Sequence, residues 1–162
     1  MSADSIKEQL RVKEDCMKKI QKILAPTDLS ELSRLGVEYA LELARGWGAA
    51  VIAYHVANAA ELANYRANSM EDLHEKHDRA LEEFLNHNFA ELLPLVEVQR
   101  KVQVGPPAEC ILEEADKSGV DLIVMSTHGR TGLAHMVMGS ITEQVVRNAG
   151  CPVLSVHPPR GR

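Results

Sequence analysis

The chain has 162 residues, of which 45% are hydrophobic and 25% charged, and carries a formal net charge of −5. That is one domain's length with ordinary globular composition, and the acidic balance offers no general attraction to nucleic acid or anionic lipid. An aromatic content of 4% argues against a stacking platform for single-stranded nucleic acid.

Residues 1–19 are charged and helix-prone, but Ile6, Leu10, Lys13 and Met17 make a poor apolar stripe, so a short helix or mobile extension is expected there. The first ten residues lack the apolar core of a signal peptide, and no apolar run in the chain is long enough to span a bilayer. Cys16, Cys110 and Cys151 are far apart and form no C-x-x-C, which suits reduced thiols in a cytoplasmic protein.

Ile20 to Ala25 reads as the first strand, with Pro26-Thr27-Asp28 turning the chain. Asp28 with Glu31, or Ser30, is placed to cap the helix that follows. That helix shows Leu32, Leu35, Gly36, Tyr39, Ala40, Leu43, Ala44 and Trp47 at i, i+3, i+4 spacing, with Gly46 and Gly48 at its end. Ala49 to Val56 is a second apolar strand, and Asn58 to Asn68 reads as a loop. Met70, Leu73, His77, Leu81, Phe84, Leu85 and Leu92 form a second helical stripe, stopped by Pro94. Leu95 to Val104 alternates Val with polar residues and predicts a strand at a sheet edge. Gly105-Pro-Pro opens a third helix with Ala108, Ile111, Leu112 and Ala115 on its buried face, closed by Gly119.

Leu122 to Met125 is long enough for a buried parallel strand and too short for a helix. A glycine-bearing polar loop follows, then a helix from Ser140 to Asn148 ended by Gly150, then a last strand, Val153 to Val156. Strands alternating with helices predict a single-domain α/β fold: an open, parallel, five-stranded sheet in three layers with helices on both faces. Ligands of such sheets sit beyond the carboxyl ends of the strands, where strand order reverses. Asp28, Val56 and Ser126 each stand at such an end.

Strand, glycine loop and helix N-terminus together make an anion site, because the first turn of a helix offers free N–H groups and a positive dipole end. The loop is neither a Walker A motif nor G-x-G-x-x-G. On spacing alone two readings stand. The loop cradles a phosphate, or Ser140 with Glu143 merely forms a capping box.

The stretch from Leu122 to Ser140 resembles the universal stress protein family, whose nucleotide-binding members carry G-x2-G-x9-G-[S/T]. Gly129, nine residues and Gly139-Ser140 match the second half, whereas Ser126 replaces the first glycine. Lys22-Ile-Leu-Ala-Pro-Thr-Asp28, Tyr54-His-Val56 and Cys151-Pro-Val-Leu-Ser-Val156 are similar to the family's other landmarks, so the resemblance runs from about Ile20 to His157. It implies a stress protein domain over residues 20–162, of adenine nucleotide alpha hydrolase-like (Rossmann-like) architecture. It further implies ATP or a related adenine nucleotide, with Mg²⁺ carried by the phosphates, and a homodimer joined through the last strand, Val153–Val156.

By position, the resemblance places Pro26, Thr27 and Asp28 at the nucleoside, the Val56 backbone at the adenine edge, and Met125 and Ser126 at the ribose. Gly129, Gly139, Ser140, Ile141 and Thr142 would hold the phosphates, with Arg130 at the far phosphate. His128 would bond a phosphate or hold the turn. Taken singly, Asp28 is also a helix cap and Val56 a core residue. His74, His77 and His87 lack companions at metal-ligand spacing. No Gly-x-Ser-x-Gly and no equivalent of the Walker lysine is present, so ATP hydrolysis should be slow or absent. A regulatory nucleotide-binding stress protein is the leading expectation. A slow adenine-nucleotide hydrolase and a structural dimer that binds no nucleotide are the alternatives.

Overall fold

Apolar runs bounded by glycine, proline and small polar residues become parallel strands, and the 3.6-residue stripes between them become the helices that cover the sheet. The computed structural model describes residues 19–57, 70–128 and 138–157. Its elements are β1 (Lys22–Thr27), α1 (Glu31–Trp47), β2 (Ala50–Ala57), α2 (Met70–Phe89), a 3₁₀ turn (Leu93–Leu95), β3 (Val98–Val104), α3 (Pro107–Ser118), β4 (Leu122–Ser126), α4 (Ser140–Asn148) and β5 (Val153–Val156). The sheet order is β3-β2-β1-β4-β5 and every pairing is parallel. Strand order therefore reverses between β1 and β4, as the open α/β architecture requires.

The two-residue period of the strands sorts the core into two layers. Ile23, Ala25, Val51, Ala53, Leu122 and Val124 pack against Val37, Ala40, Leu41 and Ala44 of α1 and Leu81, Leu85 and Phe89 of α2. Their neighbours Leu24, Ile52, Tyr54, Ile123 and Met125 point the other way, onto Ala108, Ile111 and Ala115 of α3 and Val145 of α4. The three-layer reading of the sequence is thus the observed architecture.

Besides shifts of one or two residues at the start of β1, both ends of β2 and the end of β4, three features differ from the sequence reading. β3 begins at Val98, because Pro94 lacks an N–H and the chain around it closes into the 3₁₀ turn. β3 is the edge strand that its polar face suggests, paired only with β2. β1 continues through Pro26 and Thr27, which the sequence assigned to a turn. Pro26 is tolerated in a central strand because β1 and β4 are paired only at Ile23 with Leu122 and Leu24 with Ile123, whereas β1 and β2 stay in register to Thr27 and His55. Beyond Leu24 the sheet parts on the β4 side, where an N–H at Pro26 has no ladder to join. Third, α4 is capped by Gly139 rather than by Ser140.

Two glycines are required by close approach. A Cβ at Gly36 of α1 would stand 2.6 Å from the Ser126 backbone N, so only glycine lets α1 lie this close on the end of β4. A Cβ at Gly139 would press on the Thr127 carbonyl at 3.2 Å.

Candidate functional site

Where β1 and β4 part, a cavity of about 300 Å³ opens at the carboxyl ends of the strands. This lies within the size range of small-molecule sites. Pro26, Thr27, Asp28, Val56, Met125, Ser126, His128, Gly139, Ser140, Ile141 and Thr142 all line it. These are all the described members of the residue set expected from sequence, brought together from β1, β2, β4 and α4. Gly129 and Arg130 lie outside the described residues. Ser33, Tyr54, His55, Pro107 and Ile111 complete the lining.

The α4 end of the cavity has the chemistry of an anion cradle. Its N-cap is Gly139 in extended conformation, and among the described residues no side chain caps the helix. The Gly139 N–H is spent on the Thr127 carbonyl at 2.7 Å, and Glu143 N–H on the Gly139 carbonyl at 2.9 Å. The N–H groups of Ser140, Ile141 and Thr142 form the open first turn. Glu143 does not fold back as in a capping box, because its carboxylate pairs with Arg147 at 2.7 Å on the exposed face of α4. The dipole end is thereby left facing the cavity with no acid of its own helix against it. The cradle is held in place by Thr142, whose hydroxyl donates to the Ser126 carbonyl at 3.0 Å, and by fully buried Thr127, whose N–H donates to the Val156 carbonyl at 2.9 Å.

The opposite wall comes from β1 and β2. The Ala57 carbonyl accepts from Gly105 N–H on the β3 side. Alternation along the strand therefore turns the Val56 carbonyl toward β1, past that strand's last residue, Thr27. Such an edge recognises a group carrying its own donor. Asp28 is not itself the helix cap. Ser30 caps α1 by accepting from Ser33 N–H at 3.2 Å, and its hydroxyl donates to Asp28 Oδ1 at 2.5 Å. Between them Leu29 adopts a left-handed backbone (φ 64°), held by its N–H donating to Thr27 Oγ1 at 3.0 Å. A leucine rarely adopts that conformation, so the turn that carries Asp28 into the cavity is held against local preference.

Ser126 accepts from Gly36 N–H through Oγ at 2.9 Å. Its hydroxyl is thus committed to α1. On the far wall, Tyr54 donates to Gln103 Oε1 at 2.6 Å, and burial, followed by nearby Cys110, Glu114 and Glu113, pushes its hydroxyl well above the ordinary tyrosine value. It serves as a neutral, fixed wall.

Sequence reasoning missed Ser33, Tyr54, His55, Pro107 and Ile111. Tyr54 shares the strand face of Val56, so the two-residue period carried a signal for it. Ser33, Pro107 and Ile111 reach the cavity only through how α1 and α3 lie on the sheet, which no local pattern encodes. Among the described residues the lining holds no lysine or arginine, and no group of three or more His, Cys, Asp or Glu side chains is placed to hold a metal. No described helix is long and apolar enough to cross a membrane.

Residues 19–157 match the universal stress protein family. The chain is 33% identical over 149 residues to Universal stress protein MJ0531 of Methanocaldococcus jannaschii, covering 86% of this chain and 84% of that one. It is 31% identical over 152 residues to Universal stress protein MJ0577 of the same organism, covering 84% and 94%. The solved structure of MJ0577 superposes with a TM-score of 0.70 over 89% of this chain and 100% of that one, at 29% identity. A universal stress protein solved in complex with cAMP superposes with a TM-score of 0.58 at 25% identity, covering 86% and 98%. The chain belongs to the universal stress protein family.

Proposed function

We propose that this chain binds an adenine nucleotide, ATP with Mg²⁺ carried on its phosphates, in the crevice between β1 and β4. In this reading it acts as a cytoplasmic, nucleotide-dependent regulatory homodimer. One observation carries the proposal: the uncapped first turn of α4 and the open Val56 edge face a single cavity of about 300 Å³. An anion held by backbone N–H groups at one end and a heterocycle edge met by a carbonyl at the other are the two halves of a nucleotide. The relative solved with cAMP supports the adenine assignment.

Residues 20–162 would form the stress protein domain, with residues 1–19 an extension to it. Phosphate charge would be met by helix dipole and N–H groups and by Mg²⁺, with Arg130 added from outside the described residues. Because the described lining offers no lysine, the nucleotide would be held rather than rapidly turned over. Dimerisation would use β5, which among the described residues pairs only with β4 at the end of the sheet and carries Leu154, 39% exposed.

The test is a thermal melt with and without Mg·ATP, with FMN as control, alongside mass spectrometry of any nucleotide that co-purifies. Ligand at a hundred times Kd stabilises by about 2.7 kcal/mol, several degrees of Tm for a domain this size. A shift with ATP and none with FMN is expected. No shift and no bound nucleotide would overturn the binding reading and leave the structural dimer. A monomer mass by light scattering at micromolar concentration would remove the dimer.

A further inference from the structure

One buried group of titratable side chains is not needed by the nucleotide reading. His55 of β2 and His77 of α2 are 3% and 6% exposed. His55 Nε2 lies 2.9 Å from His77 Nδ1, and the rings stack with centroids 5.0 Å apart. His55 Nδ1 lies 2.9 Å from the Thr27 carbonyl oxygen. That oxygen only accepts, so His55 Nδ1 carries a proton. The contact between the two rings has room for one proton more. With His77 Nε2 also protonated the pair holds a single positive charge, whereas two separated imidazoles hold two.

We infer that the His55–His77 contact is an acid-sensitive latch that fastens α2 to the floor of the cavity and opens on uptake of one further proton. The chain of contacts runs from α2 through His77 and His55 to Thr27, and both His55 and Thr27 line the cavity. Opening therefore alters the wall of the crevice as well as the seating of the helix. Among the described residues α2 is also tied to β3 by Arg100, which bonds Glu82 at 2.7 Å and lies 3.7 Å from Asp78, and by His74 Nε2, 3.1 Å from the Val102 carbonyl. Other charged groups on the surrounding elements are engaged elsewhere: Arg34 of α1 pairs with Glu31 and Glu38, Arg79 of α2 with Glu75, and Lys101 of β3 with Glu114, while Asp28, Asp72 and Lys76, like the two histidines themselves, have further partners of their own.

The sign follows from proton counting. The open form binds more protons than the latched form, so acid favours opening. Above the ordinary histidine value, near pH 6.5, the separated rings are neutral and the latch is unaffected. Below it, one extra proton makes opening about tenfold more favourable per pH unit.

The experiment needs no ligand, so it is independent of the nucleotide reading. Amide exchange of α2, corrected for intrinsic rates, and long-range ¹H–¹⁵N correlations of the imidazoles are followed from about pH 7.5 to about pH 5. Expected are His55 protonated on Nδ1 at the upper pH, one proton taken up by the pair while α2 stays protected, and an opening constant that rises about tenfold per unit on further acidification. In His77→Gln, which keeps a hydrogen-bonding side chain but cannot charge, that rise is absent. Independent uptake of two protons with α2 still protected would overturn the latch, as would the same acid dependence in His77→Gln. Should the variant fail to fold, the tautomer and proton count of the unaltered protein decide alone.

Discussion

The same pair of strands, β1 and β4, is sealed at one end and open at the other. At the amino end Asp121 closes the seam, its Oδ2 accepting Gln21 N–H at 2.9 Å and Lys22 N–H at 3.1 Å while its own N–H donates to the Lys22 carbonyl at 2.9 Å. At the carboxyl end pairing stops at Leu24 and Ile123, Pro26 offers no N–H, and the cavity occupies the gap. Charge at the sealed end is spent on holding backbone together. Donors at the open end, on α4, are left for something else. A parallel sheet gains stability where its ladder is complete and a binding site where it is not.

Substitutions at the two ends should therefore separate stability from binding. Asp121→Ala removes a buried carboxylate from two backbone donors and should cost about 3 kcal/mol. That is roughly 6–12 °C of Tm, with ligand affinity of the folded fraction unchanged by calorimetry. Gly139→Val should lower both. Its side chain meets the Thr127 carbonyl, so overpacking of about 1–3 kcal/mol lowers Tm, and the displaced first turn of α4 should add a loss of ATP affinity of about tenfold or more that Asp121→Ala lacks. Equal loss of binding at both positions would erase the distinction.

Ser126→Gly sharpens the comparison, because it puts at the open end the glycine that the motif resemblance implies there. It deletes the hydroxyl that accepts Gly36 N–H, so a stability loss of about 1 kcal/mol is expected in denaturant titration. ATP affinity should stay within a few-fold, since that hydroxyl is committed to α1. Smallest is Glu114→Gln on α3. Burial alone would raise the Glu114 carboxyl, but Lys101 at 2.6 Å and the Ser118 hydroxyl outweigh it and hold it below the ordinary value. Its stabilisation is therefore present above the usual carboxylate range and lost as pH falls through the lowered native value. Glu114→Gln should cost under about 1 kcal/mol at neutral pH, and the difference from the parent should vanish in acid urea titrations.

Much of this was readable from the residues. Among the described residues, period and breakers locate the five strands and four helices, α4 and β5 to the residue, because Gly139 and Pro152 leave little freedom at those ends. The site residues from three strand ends share one cavity because the parallel topology forces them together. What was not readable lies in pairings that local pattern does not encode. Pro26 reads as a turn by residue type, and stays in the strand because the ladder with β4 stops short of it. Ser140 with Glu143 fits a capping box by spacing, yet Arg147 one turn on takes the carboxylate. The direction of the Ser126 hydroxyl depends on how closely α1 approaches at Gly36, 90 residues away in sequence. The His55–His77 contact likewise joins a strand and a helix at a separation of 22 residues with no periodic signal.

If the open end of the β1–β4 seam holds a nucleotide by the first turn of α4, a ¹H–¹⁵N titration with Mg·ATP will show it. Saturable shifts of the Ser140, Ile141 and Thr142 amides and around Val56 are expected, with the amides of Gln21, Lys22 and Asp121 at the sealed end unmoved. Saturable binding that leaves the α4 amides in place, or no binding at all, would contradict that mode of binding.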